Sequence, residues 1–117
     1  MSGWIGVDLD GTLAEYGGWQ GADHIGAPVP LMLARVKEWL ARGIEVRIFT
    51  ARVALDEDGS VVASIEAWCE EHVGQKLAVT CQKDYGMVEL WDDRCVQVIP
   101  NTGQRADAAR GPRTGGV

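Results

Sequence analysis

The sequence has little of what membrane-spanning, secreted or zinc-binding proteins need. No apolar run approaches the length that crosses a bilayer, and the N-terminus has no basic region followed by a long apolar stretch, so no signal peptide is apparent. Its 117 residues include only three cysteines and two histidines, with no Cys-x-x-Cys pair. This composition argues against zinc and favours reduced thiols. We therefore expect a cytoplasmic protein that makes no contact with a membrane.

Positive charge is also scarce: the sequence has 11 Lys and Arg residues and 17 Asp and Glu residues, which gives a net charge of -6. That balance argues against non-specific binding of polyanions by the whole surface. The apolar content of 46% is enough for one core, and the length favours one domain. We expect this domain to span residues 1–100. The remaining residues, 101–117, have low hydrophobicity and dispersed arginines, which favour a flexible tail.

Predicted strands and helices alternate along the chain. Short apolar runs predict strands, and apolar residues at helical spacing predict two helices, one beginning at Pro28 or Pro30 and one near Ser60. The alternation predicts an α/β fold, with a three-layer, Rossmann-like parallel sheet of about five strands and helices on both faces. The predicted strands are residues 4–7, 44–49, 77–80, 87–91 and 95–99.

Polar residues follow several of these strands. Asp8 and Asp10 come directly after the first strand, where one carboxylate could attack as a nucleophile and the other could transfer a proton. Two negative charges so close invite a divalent cation, although Asp and Gly are also ordinary turn residues. Thr50 and Asp92 follow later strands. Because ligands of parallel sheets bind at the carboxyl ends of the strands, we expect these groups to converge on one edge.

Four segments resemble, in order, the motifs of the haloacid dehalogenase-like (HAD) superfamily of phosphotransferases. The resemblance covers most of the chain, from about Trp4 to Pro100. It implies a Mg²⁺-dependent phosphatase that works through an aspartyl-phosphate, and hence a phosphorylated substrate. The segments are Asp8-Leu9-Asp10-Gly11-Thr12-Leu13 for motif I, Phe49-Thr50-Ala51-Arg52 for motif II, Lys83 for the motif III lysine and Trp91-Asp92-Asp93-Arg94 for motif IV.

The resemblance also implies a role for each residue. Asp8 would be the nucleophile, Asp10 the general acid and base, Thr50 the ligand of a phosphoryl oxygen, and Lys83 the source of positive charge. Mg²⁺ would be held by the side chains of Asp8, Asp92 and Asp93 and by the backbone carbonyl of Asp10. The residues expected to contact substrate are Gly11, Thr12, Ala51, Arg52, Trp19 and His24.

Three of these assignments have alternatives. Lys83 precedes a very short segment and could be a solvated loop lysine. Arg52 could bind a substrate phosphate or brace the neighbouring loop. The sequence does not distinguish which carboxylate of Asp92 and Asp93 contacts the metal directly.

Neither gap between the motifs is long enough for a cap domain, so the site should be open. The first gap contains only the Gly-rich loop 15–27, and the second contains one loop and one helix. An open site suits a large substrate, such as a nucleic acid end or a phosphoprotein, or a small one covered by a second subunit of a homo-oligomer. In the loop, Trp19 and His24 are the candidates for contact with a substrate, since an exposed ring can stack on a base.

Two other functions share part of this pattern. A response-regulator receiver also combines an acidic pair, an acceptor Asp, a Thr and a Lys, but its adjacent acidic pair follows the first strand. Here the adjacent pair, Asp92-Asp93, comes last, and Asp10 supplies an acid-base group that receivers lack. The other alternative is a catalytically silent homologue that binds Mg²⁺ or phosphate.

Overall fold

The computed structural model describes residues 3–107, which form a parallel β-sheet with two α-helices. Helix α1 begins with Pro30, whose fixed φ suits the first helical position. Both helices are followed closely by a glycine with positive φ, Gly43 at 79° and Gly74 at 101°. The elements are β1 (Trp4–Val7), α1 (Pro30–Ala41), β2 (Glu45–Phe49), a 3₁₀ turn (Ala51–Val53), α2 (Ser60–His72), β3 (Ala78–Thr80) and β4 (Met87–Trp91).

The four strands lie in the order β3-β2-β1-β4, and all neighbouring pairs are parallel. The chain builds outward from β1 to β2 and β3, and then returns to place β4 on the other side of β1. The strand order therefore switches between β1 and β4. In open parallel sheets such a switch point leaves a crevice at the carboxyl ends of the strands.

Both helices pack against the same face of the sheet. Alternate residues of the strands point to that face, and with apolar residues of α1 and α2 they form one buried cluster. Its strand members are Ile5, Val7, Val46 and Ile48, and its fully or nearly buried helix members are Met32, Val36, Ile65, Trp68 and Cys69.

The opposite face has no helix among residues 3–107. Trp4 lies there, only 2% exposed, beneath the guanidinium of Arg47, which is 4.4 Å from its ring centroid. The indole N–H of Trp4 donates to Asp84 Oδ1 at 2.9 Å, and this bond is the main reason that the pKa of Asp84 lies below its ordinary value. Asp84 belongs to the short connection 81–86 between β3 and β4, which is too short to hold a helix.

The described part of the chain thus has two layers and four strands where we predicted three layers and about five strands. The predicted strand at residues 95–99 is not formed. There, only Val98 takes part in a β-bridge, an isolated antiparallel one with Arg105. The turn at residues 92–94 leads the chain out of the sheet, and Val96 and Val98 remain 42% and 51% exposed. The residues whose apolar alternation predicted a strand here form one side of an irregular hairpin outside the sheet.

The predicted flexible tail is described only in part. Residues 101–107 turn back, and backbone bonds join Ile99 to Gln104 and Ala106 to Gln97. The rest of the predicted tail lies outside the described residues. Neither of the two described helices has the length and apolar character needed to cross a membrane.

Candidate functional site

The carboxyl ends of all four strands contribute to one cavity of about 780 Å³. The convergence predicted for Asp8, Thr50 and Asp92 is therefore present. Four aromatic or aliphatic residues, one thiol and Arg94, none of which we assigned to the site, also lie in its wall. The lining residues are Asp8, Asp10, Tyr16, Trp19, Phe49, Thr50, Ala51, Arg52, Ala54, Leu55, Cys81, Asp92, Asp93 and Arg94.

Three carboxylates form an acidic cluster at the switch point between β1 and β4. Oxygen atoms of Asp8, Asp92 and Asp93 all lie within 4.8 Å of one another. The two strand ends are held together by a backbone bond of 2.9 Å from the Asp8 N–H to the carbonyl of Trp91. The pKa of Asp8 is raised from the ordinary 3.8 to about 7, first by partial burial and then by the charge of Asp92 and by the hydrogen bond and charge of Asp93.

Thr12 and Gly11 contact the acidic cluster. Neither residue lines the large cavity. The Thr12 hydroxyl accepts from the backbone N–H of Asp93 at 3.1 Å and can donate to Asp93 Oδ1 at 3.3 Å or Asp8 Oδ2 at 3.4 Å. Gly11 has a φ of 87°, and a Cβ there would lie 2.7 Å from Asp93 Oδ2. A glycine is therefore needed at position 11 for the turn after β1 to approach the carboxylate of Asp93.

Thr50 is 2% exposed, and its side chain lines the cavity at the end of β2. Its hydroxyl oxygen accepts from the backbone N–H of Arg52 at 3.2 Å, which caps the 3₁₀ turn that follows. Among the described residues the hydroxyl makes no bond as a donor, so its hydrogen remains available. Thr50 and Ala51 thus both line the cavity at the end of β2.

Arg52 braces the loop and the second carboxylate. Its Nε donates to Asp10 Oδ2 at 2.7 Å and its Nη2 to Asp10 Oδ1 at 2.8 Å, a bidentate pair. The same guanidinium donates to the carbonyls of Ala22 at 3.2 Å and His24 at 2.9 Å, and lies 5.0 Å from the ring centroid of Trp19. The side chain of Arg52 is only 5% exposed. It holds Asp10 in place and joins loop 15–27 to it.

The two candidate substrate residues of loop 15–27 have different positions. Trp19 lines the cavity and is 60% exposed, and Tyr16 lies beside it in the wall, 45% exposed. The side chain of His24 is not part of the lining, and its contribution is the backbone carbonyl that receives Arg52. An aromatic residue so soon after the first motif was the signal that could have pointed to Tyr16.

Lys83 does not line the cavity. It is exposed in the connection between β3 and β4, two residues beyond Cys81, and makes no hydrogen bond or ion pair within residues 3–107. Arg94, in contrast, lies in the cavity wall directly after the acidic pair. Its backbone N–H donates to Asp92 Oδ1 at 2.8 Å, which orients the turn.

The raised pKa of Asp8 predicts how the stability of the protein depends on pH. Between pH 4 and 7 the folded state binds more protons than the unfolded state, so the free energy of unfolding falls as pH rises through this interval. In EDTA, Asp8→Asn should remove this slope and raise the melting temperature above that of wild type at pH 8. Asp23→Asn, an exposed loop carboxylate, is the control. Equal slopes in wild type and Asp8→Asn would contradict the assignment.

No family model matches the sequence, and no curated protein matches it. The fold is similar to a solved structure described as that of a conserved protein from Bacteroides thetaiotaomicron. The two chains share 19% identity with a TM-score of 0.58, and the match covers 86% of this chain and 84% of that one. At this identity the similarity shows a shared α/β fold.

Proposed function

We propose that this protein is a Mg²⁺-dependent phosphohydrolase of the small, capless HAD type, acting through an aspartyl-phosphate. One observation carries the proposal: polar groups from separate strand ends meet around one cavity, with the acidic cluster on one side and the Thr50 hydroxyl in the wall. The motif resemblance implies this arrangement for the carboxylates and for Thr50.

The acidic cluster fits a magnesium ion. Its ligands are all oxygen atoms, they lie close together, and the anionic form of Asp8 is destabilised by burial and by the charges of its neighbours. A divalent cation would relieve that repulsion, and hard oxygen ligands are those that Mg²⁺ prefers. Asp8, Asp92 and Asp93 would hold the ion, which when bound supplies positive charge against the phosphoryl oxygens.

The residues of the cavity would divide the reaction into two steps. First, Asp10 takes up a proton from solvent in exchange for one of its bonds to Arg52. An Asp8 oxygen then attacks phosphorus, the bond to the ester oxygen breaks, and Asp10 gives that proton to the leaving oxygen. Water then attacks phosphorus, Asp10 takes its proton, and the bond from phosphorus to Asp8 breaks to release phosphate. The Thr50 hydroxyl donates to a phosphoryl oxygen in both steps. Arg52 acts by positioning Asp10.

A phosphate-release screen tests the proposal. Nucleotides, sugar phosphates, phosphopeptides and oligonucleotide ends would be compared with Mg²⁺ and with EDTA. We expect release from at least one class with Mg²⁺ and none with EDTA. Release that is unaffected by EDTA, or the absence of release from every class, would overturn the proposal.

An open cavity with exposed rings favours a substrate that carries a planar group. Residues 3–107 contain no cap, since loop 15–27 and the segment between β2 and β3 hold no separate domain. Trp19 and Tyr16 therefore remain exposed beside the carboxylates. We propose a nucleotide or a polynucleotide end as substrate, with its base on one of these rings.

Substitution of Trp19 tests this substrate class. Stacking on an aromatic ring is worth about 1–3 kcal/mol per base, so Trp19→Ala should raise KM for a nucleotide on the order of 10-fold with little change in kcat. The KM for glycerol phosphate, which has no ring, should not change. His24→Ala is the matched loop control, because its side chain does not line the cavity. Equal KM values for wild type and Trp19→Ala on every nucleotide would exclude stacking at this position.

The position of Lys83 outside the cavity favours a second candidate function, namely binding of Mg²⁺ or phosphate without turnover. The lysine that the resemblance implies for catalysis lies outside the cavity wall. Such a protein would bind phosphate in the presence of Mg²⁺ and fail the release screen.

A further inference from the structure

The wall of the cavity has more acidic than basic side chains before any substrate enters. Four carboxylates lie in its wall, and a phosphomonoester brings about two further negative charges. Phosphoryl transfer depends on cationic groups and donors that stabilise charge on the equatorial oxygens. Mg²⁺ at the acidic cluster would supply one such group. Among the lining residues the side chains with a fixed positive charge are Arg52 and Arg94.

Arg52 has almost no capacity left for a phosphate. A guanidinium has five N–H donors, and four bonds are already made, two to Asp10 and one each to the carbonyls of Ala22 and His24. Its charge is balanced by Asp10, and its side chain is 5% exposed. Turning it toward a substrate would break the bidentate pair and release the loop.

Arg94 has the opposite character. It is exposed in the wall of the same cavity, it follows the acidic pair directly, and its guanidinium makes no hydrogen bond or ion pair to any residue from 3 to 107. Its backbone bond to Asp92 fixes the start of the side chain, while the long stem leaves the charged group free to move. A planar guanidinium can donate two parallel bonds to a phosphate.

We propose that Arg94 is the cationic residue that binds the phosphoryl group of the substrate, in the role that the sequence resemblance gives to Lys83. This assignment rests on the proposed phosphohydrolase function. The guanidinium approaches the phosphoryl oxygens from the cavity wall, beside the acidic cluster, and neutralises charge that the carboxylates would otherwise repel. The turn after β4 thus provides both the metal-binding carboxylates and the phosphate-binding cation.

Four variants separate Arg94 from its rival. Arg94→Ala removes the charge and keeps the backbone bond to Asp92. Arg94→Lys keeps a positive charge but cannot donate two parallel bonds to a phosphate. Lys83→Ala tests the residue that the resemblance favours. Lys76→Ala is the control, an exposed lysine just before β3, at the opposite edge of the sheet. Each protein is assayed for Mg²⁺-dependent hydrolysis of p-nitrophenyl phosphate, and for binding of inorganic phosphate with Mg²⁺ by calorimetry.

We expect Arg94→Ala to lose about 10²- to 10³-fold in kcat/KM, the usual cost of one donor to a developing oxyanion, and to bind phosphate more weakly. Arg94→Lys should recover part of the loss, and added guanidinium chloride should partly rescue Arg94→Ala. Lys83→Ala and Lys76→Ala should stay close to wild type. Wild-type behaviour of Arg94→Ala, or the large loss in Lys83→Ala instead, would overturn the assignment.

Phosphate binding keeps this test independent of turnover. If wild type releases no phosphate from any ester, the proposed hydrolase is wrong, and calorimetry still decides the role of Arg94. Binding that is lost in Arg94→Ala and retained in Lys83→Ala supports Arg94 as the phosphate-binding cation. Equal binding by both variants, or no binding by wild type, overturns it.

Discussion

Replacing Asp8 by Asn should abolish phosphate release and leave the fold intact. An amide is nearly isosteric with the carboxylate but cannot attack phosphorus, so we expect a loss on the order of 10⁴ to 10⁶ in kcat, as for removal of other enzymatic nucleophiles. The Asp8 backbone bonds, to Trp91 and Leu13, do not involve the side chain and should persist. Release of phosphate from a standard ester, with circular dichroism to check folding, measures both effects.

A chemical trap makes the Asp8 test sharper. During turnover by wild type, borohydride should reduce an aspartyl-phosphate, and peptide mass spectrometry should place the reduced residue at position 8. Asp58→Asn, at an exposed loop position, is the control and should behave as wild type. Activity near wild type in Asp8→Asn would show that the nucleophile is another group. A reduced residue at another aspartate would identify which one.

Replacing Asp10 by Asn should cost about 10²- to 10⁴-fold in rate, the usual contribution of a positioned general acid and base. The loss should depend on the leaving group. An alkyl phosphate needs protonation of its departing oxygen, whereas p-nitrophenolate departs without it, so the alkyl ester should lose much more. Mg²⁺ binding, measured by calorimetry, should persist, because the cluster of Asp8, Asp92 and Asp93 is unchanged. An equal loss for both esters would exclude the proton-transfer role.

The pair between Asp10 and Arg52 provides a second control on this prediction. Arg52→Gln and the double variant Asp10→Asn/Arg52→Gln complete a thermodynamic cycle with Asp10→Asn. Because Arg52 acts through Asp10, its substitution should add little to the rate loss once Asp10 is gone. Fully additive losses would mean that Arg52 contributes to catalysis by another route, such as holding loop 15–27.

The positions of residues at the ends of strands were predicted best from the sequence. Asp8, Thr50 and Asp92 each follow a short apolar run, and such a run predicts a buried strand from local sequence alone. Parallel strands then bring their carboxyl ends to one edge of the sheet, so three distant residues could be placed in one site without knowledge of any contact. The same reasoning failed at residues 95–99. Their apolar alternation resembles that of a strand, but the turn at Asp92 to Arg94 leads them away from the sheet.

The sequence by itself determined the α/β class and the carboxylates that face the cavity, because each of these depends on local pattern and on spacing along the chain. Only the tertiary structure decided that both helices share one face, since that depends on the strand order. The crossovers from β1 to β2 and from β2 to β3 run in the same direction across the sheet, and connections of one hand then lie on one face. The tertiary structure also decided that Arg52 is held by Asp10, that Thr12 holds Asp93, and that Arg94 lies in the cavity wall while Lys83 does not. These are contacts and orientations of polar side chains that lie up to 81 residues apart in the sequence. Hydrophobic periodicity carries no information about them.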